Sequence, residues 1–172
     1  DQYGLELPQL DQDILDFMDG LLPPYWSRAN PVDLVGERDL SLPTKALEKI
    51  AAWDGCDAII NLGIMGRKDF FREYTDAVRK VDPGYSEEEL HLTDEELKRF
   101  EREYVGTVAR LMETYGKPIY GVRLQSGGSD KTIENTSDSQ YQSIFYSTPE
   151  KAVKACAMMY RYNQFLRGTN TD

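Results

Sequence analysis

Seven residues, Asp57-Ala58-Ile59-Ile60-Asn61-Leu62-Gly63, constrain the fold of this chain more than any other stretch. They show neither the 3.6-residue stripe of a surface helix nor the strict alternation of a half-buried strand. A short, nearly continuous apolar run that stops on glycine suits a strand covered on both faces. Pro118–Leu124 (PIYGVRL) and Ser143–Ser147 (SIFYS) repeat the pattern. Pro31–Val35 gives an earlier run, with Val32, Leu34 and Val35 around Asp33, closed by Gly36 and the charged loop Glu37-Arg38-Asp39. It is read as the first strand.

Helical patterns separate these runs. Asp11 to Leu22 carries a stripe of Ile14, Leu15, Phe17, Met18, Leu21 and Leu22, stopped by Pro23-Pro24. Pro43 and Thr44 introduce a helix with Ala46, Leu47, Ile50, Ala51 and Trp53. After Gly66 a helix resumes with Phe70, Phe71, Tyr74, Ala77, Val78 and Val81 as its buried side, and Asp82-Pro83-Gly84 turns the chain. Ser86 with Glu89 and Thr93 with Glu96 both fit a capping box, the second opening a long helix that Gly116 and Pro118 end. Thr148 and Pro149 serve as N-cap and first residue of a last helix bearing Ala152, Val153, Cys156, Met159, Tyr160 and Tyr162. The polar stretch from Asp130 to Gln142 stays unassigned, with a short helix as one option.

Strands alternating with helices, the strands apolar throughout, predict one α/β domain with a parallel sheet and helices on both faces. The 172 residues suffice for one core and not comfortably for two. A net charge of −10 argues against nucleic acid, whose phosphates are bound by clustered Lys and Arg. No run is long enough to span a bilayer, so no membrane partner is expected. Cys56 and Cys156 form neither a disulfide framework nor a metal motif, so reduced thiols and a cytoplasmic location are expected. His91, the single histidine, lies between two cap signals and reads as structural; no nucleophile–histidine pair can be assembled, so no catalytic residue and no metal site is assigned.

In a parallel sheet the loops after the strands emerge on one edge, where ligands bind. That edge would gather Gly36, Glu37 and Arg38 from the first loop, Asn61, Gly63, Gly66 and Arg67 from the second, and Gly127, Gly128 and Ser129 from the third. Glycines allow close backbone approach and helix starts supply N–H donors, which suits an anion such as phosphate. The plainer reading is that glycines end strands because turns need them. None of the loops is a Walker A or a G-x-G-x-x-G. A phospho-accepting receiver domain is rejected, because the required aspartate is replaced by Asn61-Leu62-Gly63.

In order along the chain, GLELP (4–8), NPVDLVG (30–36), ALEKI (46–50), CDAIINLG (56–63), YGKPIYGVRL (115–124) and STPEKAVKACAMMYRY (147–162) resemble acyl-CoA synthetases of the NDP-forming type, relatives of succinyl-CoA synthetase and including the ADP-forming acetyl-CoA synthetases. The likeness is to their last flavodoxin-like domain and runs from about Gly4 to Tyr162. It implies a three-layer flavodoxin-like fold, with residues 67–116 as a helical insertion between the second and third visible strands. It also implies that the family's first strand and its glycine-rich loop lie upstream of Asp1. Since the chain opens on Asp1 rather than methionine, a fragment, a processed chain or a trimmed one is expected.

The resemblance further implies a share in converting acyl-CoA, NDP and phosphate to free acid, CoA and NTP. A phosphohistidine carries the phosphoryl group in that family, held in part by helix N-termini, of which the helix after Gly36 would be one. CoA, ATP or ADP, and Mg belong to the whole enzyme and no cofactor to this chain. The partners implied are the CoA-binding Rossmann, phosphohistidine and ATP-grasp domains, in an oligomer, with this chain inactive alone. The departures are the loop Glu37-Arg38-Asp39-Leu40, where the family has small residues, and the length of 67–116. A non-catalytic regulatory or subunit-packing module is the other reading. The acyl group and the choice of ADP or GDP are not legible.

Overall fold

The computed structural model describes residues 3–36, 39–82, 84, 87–124, 131–136 and 139–168, with the side chains of 68, 87–94 and 131 outside that description. Its sheet has four strands, β1 (Ile59–Leu62), β2 (Ile119–Val122), β3 (Lys131–Glu134) and β4 (Ser143–Tyr146), in the order β1-β2-β4-β3. β1, β2 and β4 are parallel, with Asn61 opposite Gly121 and Gly121 opposite Phe145. Gly121 is where the pleat has no room for a side chain: a Cβ there would lie 2.0 Å from the Phe145 ring.

Five helices accompany the sheet: α1 (Gln12–Leu21), α2 (Leu42–Ala52), α3 (Arg67–Val81), α4 (Glu87–Tyr115) and α5 (Pro149–Leu166). α2 and α4 cover one face. Leu47 and Ala51 meet Phe100, Tyr104, Val108 and Leu111 over Ile59, Ile119 and Phe145, a contiguous core. α5 covers the other face, setting Ala152 and Cys156 on Tyr120 and Val122. α1 lies outside these layers and packs on α2, with Ile14 and Met18 against Leu42 and Ala46. The domain is α/β, with an open, mostly parallel sheet and helices on both faces.

Local chemistry sets several boundaries as expected. The Asp11 carboxylate accepts from the Ile14 N–H at 3.0 Å to start α1. Thr148 accepts from the Lys151 N–H at 3.4 Å to start α5, with Pro149 in the first position. Gly116, at φ 65°, donates its N–H to the Met112 carbonyl and ends α4.

Other expectations are corrected. Pro31–Val35 is not a strand. Val35 sits at φ 50° and its N–H is taken by the Asp33 carboxylate at 2.8 Å, so the backbone turns locally instead of offering a ladder. Val32, Leu34 and Val35 are apolar because they pack, partly buried, on the α1–α2 cluster. Within the unassigned polar stretch lies β3, an antiparallel edge strand beside β4 rather than a helix. α4 runs unbroken from Glu87 through Thr93, so Thr93 lies within a helix rather than at the start of one; Ser86 lies outside the described residues, as do Pro83 of the expected turn and the His91 side chain. The segment 67–116 divides: α4 is the helix that builds the main core, and α3 packs on α4 from outside.

Candidate functional site at the carboxyl edge of the sheet

Three parallel strands end side by side and their loops are stitched together. The Gly63 N–H donates to the Val122 carbonyl at 2.9 Å, the Arg123 N–H to Tyr146 at 3.0 Å, and the Leu124 N–H to Met65 at 2.7 Å. The loop after β1 therefore does not stand clear of the edge. Ile64 and Met65 turn down into the main core, and the glycines on either side absorb the reversal at φ 69° and 85°.

This loop has an internal partner. Glu101, buried on α4, accepts the Gly66 N–H at 3.0 Å, and Arg67 donates from Nε to the Gly63 carbonyl at 3.2 Å. Gly66 is the N-cap of α3, so a side-chain carboxylate already occupies the place where a bound anion would receive that donor. Burial lowers the Arg67 pKa, opposed by the charges of Tyr104 and Glu101. Burial likewise raises the Tyr104 phenol, opposed in part by Arg67.

Asn61, Gly63, Gly66 and Arg67 lie on β1 and the loop after it, joined by Glu101 and Tyr104, which no local sequence signal tied to them. Two positions after Ile59, Asn61 takes the α4 side of the sheet. Both polar atoms of its amide are sealed from solvent and have no hydrogen-bond partner among the described residues.

Gly36 is placed differently from expectation. It sits at φ 71° in the turn after Val35, not at a strand end, while Leu34 and Leu40 on either side pack against the cluster holding Ile64 and Met65. Glu37 and Arg38 lie outside the described residues, and so do Gly127, Gly128 and Ser129. The start of α2 is served from within as well. The Asp39 carboxylate accepts the Ser41 N–H at 2.8 Å, the Asp39 carbonyl takes Leu42, and Pro43 has no N–H to offer. The bonds from Ser41 hold the Asp39 carboxyl below its ordinary pKa. Of the described starts of α2, α3 and α5, only α5 has a side-chain cap, from Thr148; at α2 and α3 the carboxylates take the N–H of the N-cap residues Ser41 and Gly66.

Arg123 was missed in the sequence because it reads as the tail of an apolar strand. Its side chain is only 11% exposed, 3.6 Å from Asp69 of α3 and 3.7 Å from Glu134 of β3. Two acids offset this nearly buried cation. Among the described residues no three His, Cys, Asp or Glu side chains cluster to hold a metal ion, and no helix is long and apolar enough to cross a membrane. Cys56 and Cys156 are unpaired, and burial raises both thiols, which disfavours the reactive thiolate.

The chain matches no family model, and no curated protein and no solved structure is found similar to it.

Proposed function

We propose that this chain is a flavodoxin-like domain of an NDP-forming acyl-CoA synthetase, with the carboxyl edge of its sheet set toward a phosphohistidine carried by another domain. The observation behind the reading is the parallel set β1, β2 and β4, which brings the CDAIINLG, YGKPIYGVRL and STPEKA segments of the resemblance to one edge. The upstream strand of that family would lie along the free side of β1.

The chain contributes shape and a helix start rather than a reacting group. Asp39 makes a short local bond to the Ser41 N–H at the head of α2 and can be displaced by a more strongly charged phosphoryl group, whereas Glu101 comes from 35 residues away and is buried. The α2 start is therefore the end that yields. Titration of the isotopically labelled chain with the phosphorylated phosphohistidine domain of such a synthetase checks this by NMR. Amide shifts are expected at Ser41, Leu42 and Gly36, smaller for the unphosphorylated domain. No shift, or equal shifts for both forms, overturns the reading. Formation of acyl-CoA by the isolated chain would overturn its non-catalytic part.

The internal carboxylates of Asp39 and Glu101 at the heads of α2 and α3 support a second reading, a non-catalytic packing or regulatory module of a larger CoA-linked protein. Shifts on the α5 side of the sheet in place of the carboxyl edge would favour it.

A further inference from the structure

α3 carries an apolar stripe that the fold leaves uncovered. The sequence marks Phe70, Tyr74, Ala77 and Val81 as part of its buried side, at the spacing of one helix face. In the structure α3 packs on α4 with Thr75 and Val78 half-buried. Phe70, Tyr74 and Val81 are instead 48%, 54% and 84% exposed, and Ala77 is exposed with them. An apolar row of this length on the outer side of a helix marks an interaction surface.

The row is graded in size, and the grading selects what fits it. Its first half carries the bulky Phe70 and Tyr74, its second half the smaller Ala77 and Val81. Laid antiparallel on itself about a two-fold axis, it sets Phe70 of one copy beside Val81 of the other and Tyr74 beside Ala77, large against small each time. The same axis brings matching flanks of the two helices together. Glu73 and Lys80, two turns apart and exposed, share the flank opposite Thr75 and Val78. They meet across the pair as opposite charges, once on each side of the axis.

We propose that α3 pairs antiparallel with α3 of a second copy of this chain, forming a symmetric dimer. The net charge of −10 does not oppose this contact locally, because α3 holds five basic residues against three acidic ones. α5 also exposes an apolar row, but from Met158 to Arg167 it carries Arg161 and Arg167 and no acid, so two copies of it would meet as like charges. The α3 row leaves roughly 400 Å² bare on each copy, about 800 Å² on the pair, at the low end of specific interfaces. The dimer is therefore weak, with a dissociation constant of about 100 μM.

The proposal rests on α3 and not on the synthetase reading, so its failure leaves that reading untouched. Sedimentation velocity on the full chain across the micromolar range should show a monomer–dimer equilibrium. Tyr74→Glu should weaken the dimer about tenfold with an unchanged far-UV circular dichroism spectrum. Lys80→Glu should weaken it about threefold, and adding Glu73→Lys should restore it. A monomer at every concentration, an open-ended assembly, a dimer that Phe165→Glu abolishes and Tyr74→Glu does not, or a charge exchange that restores nothing would each overturn the proposal.

Discussion

At the scale of single residues, the carboxyl edge is shaped by what Asn61 and Gly121 do to each other's strands. Gly121 admits the Phe145 ring, and its register partner Asn61 is left with a sealed amide that has no hydrogen-bond partner among the described residues. A buried amide without a partner costs about 1–3 kcal/mol, and replacing it with an apolar group of similar volume recovers much of that. Asn61→Leu is therefore expected to raise stability by about 1 kcal/mol, seen as a higher urea midpoint at unchanged slope. A lower midpoint would mean that the amide is hydrogen-bonded within the chain in solution. Arg123 shows the limit of reading residues singly. In the sequence it is one charge behind an apolar strand, and only the fold sets it between Asp69 and Glu134.

At the scale of elements, α3 depends on a contact made far along the chain. None of its described residues is fully buried, and its start is held by Glu101 on the Gly66 N–H together with Arg67 on the Gly63 carbonyl. Glu101→Leu removes the acceptor and leaves the buried Gly66 donor unsatisfied, at a cost of about 1–3 kcal/mol. Hydrogen exchange should then quicken over residues 63–74 before it quickens in the second half of α4. Equal protection of both segments would mean that α3 does not rely on this cap. Elements of this kind were only partly legible. The run 57–63, the Thr148-Pro149 start and the Gly116 stop carry their causes locally, and the structure has all three. Pro31–Val35 looks the same as a strand because half-burial against helices selects the same apolar residues as half-burial in a sheet. β3 was hidden for the opposite reason. At an edge, paired on one side only, Lys131-Thr132-Ile133-Glu134 needs little apolar character to be a strand. The Glu101 cap has no sequence signal at all, since nothing near Gly66 announces a partner 35 residues away.

At the scale of the whole molecule, the two layers over the sheet each enclose a tyrosine that resists ionisation. Tyr104 lies in the α2–α4 core, and burial raises its phenol. Tyr120 lies under α5 on the other face, where burial foremost, with the charges of Cys156 and Tyr146 after it, pushes its phenol up to about 12. In the unfolded chain both ionise near an ordinary pKa of about 10. Below that value both states keep the protons and the full stability is present. Above it the unfolded chain gives up protons that the native state retains, so stability falls as pH rises, by up to about 1.4 kcal/mol per unit for each tyrosine. For Tyr120 the fall ends once the pH passes about 12. Urea midpoints measured at pH 9, 10 and 11 should therefore drop over both steps, the first through the raised thiols of Cys56 and Cys156 and the second more steeply as the tyrosines join them. Tyr104→Phe and Tyr120→Phe each remove one titrating group and should each make the drop shallower, because the tyrosines sit in separate clusters on opposite faces. If neither variant changes the slope between pH 10 and 11, the alkaline loss comes instead from the two raised thiols and from repulsion within a chain whose net charge is already −10, and the two tyrosines are not what couples folding to pH.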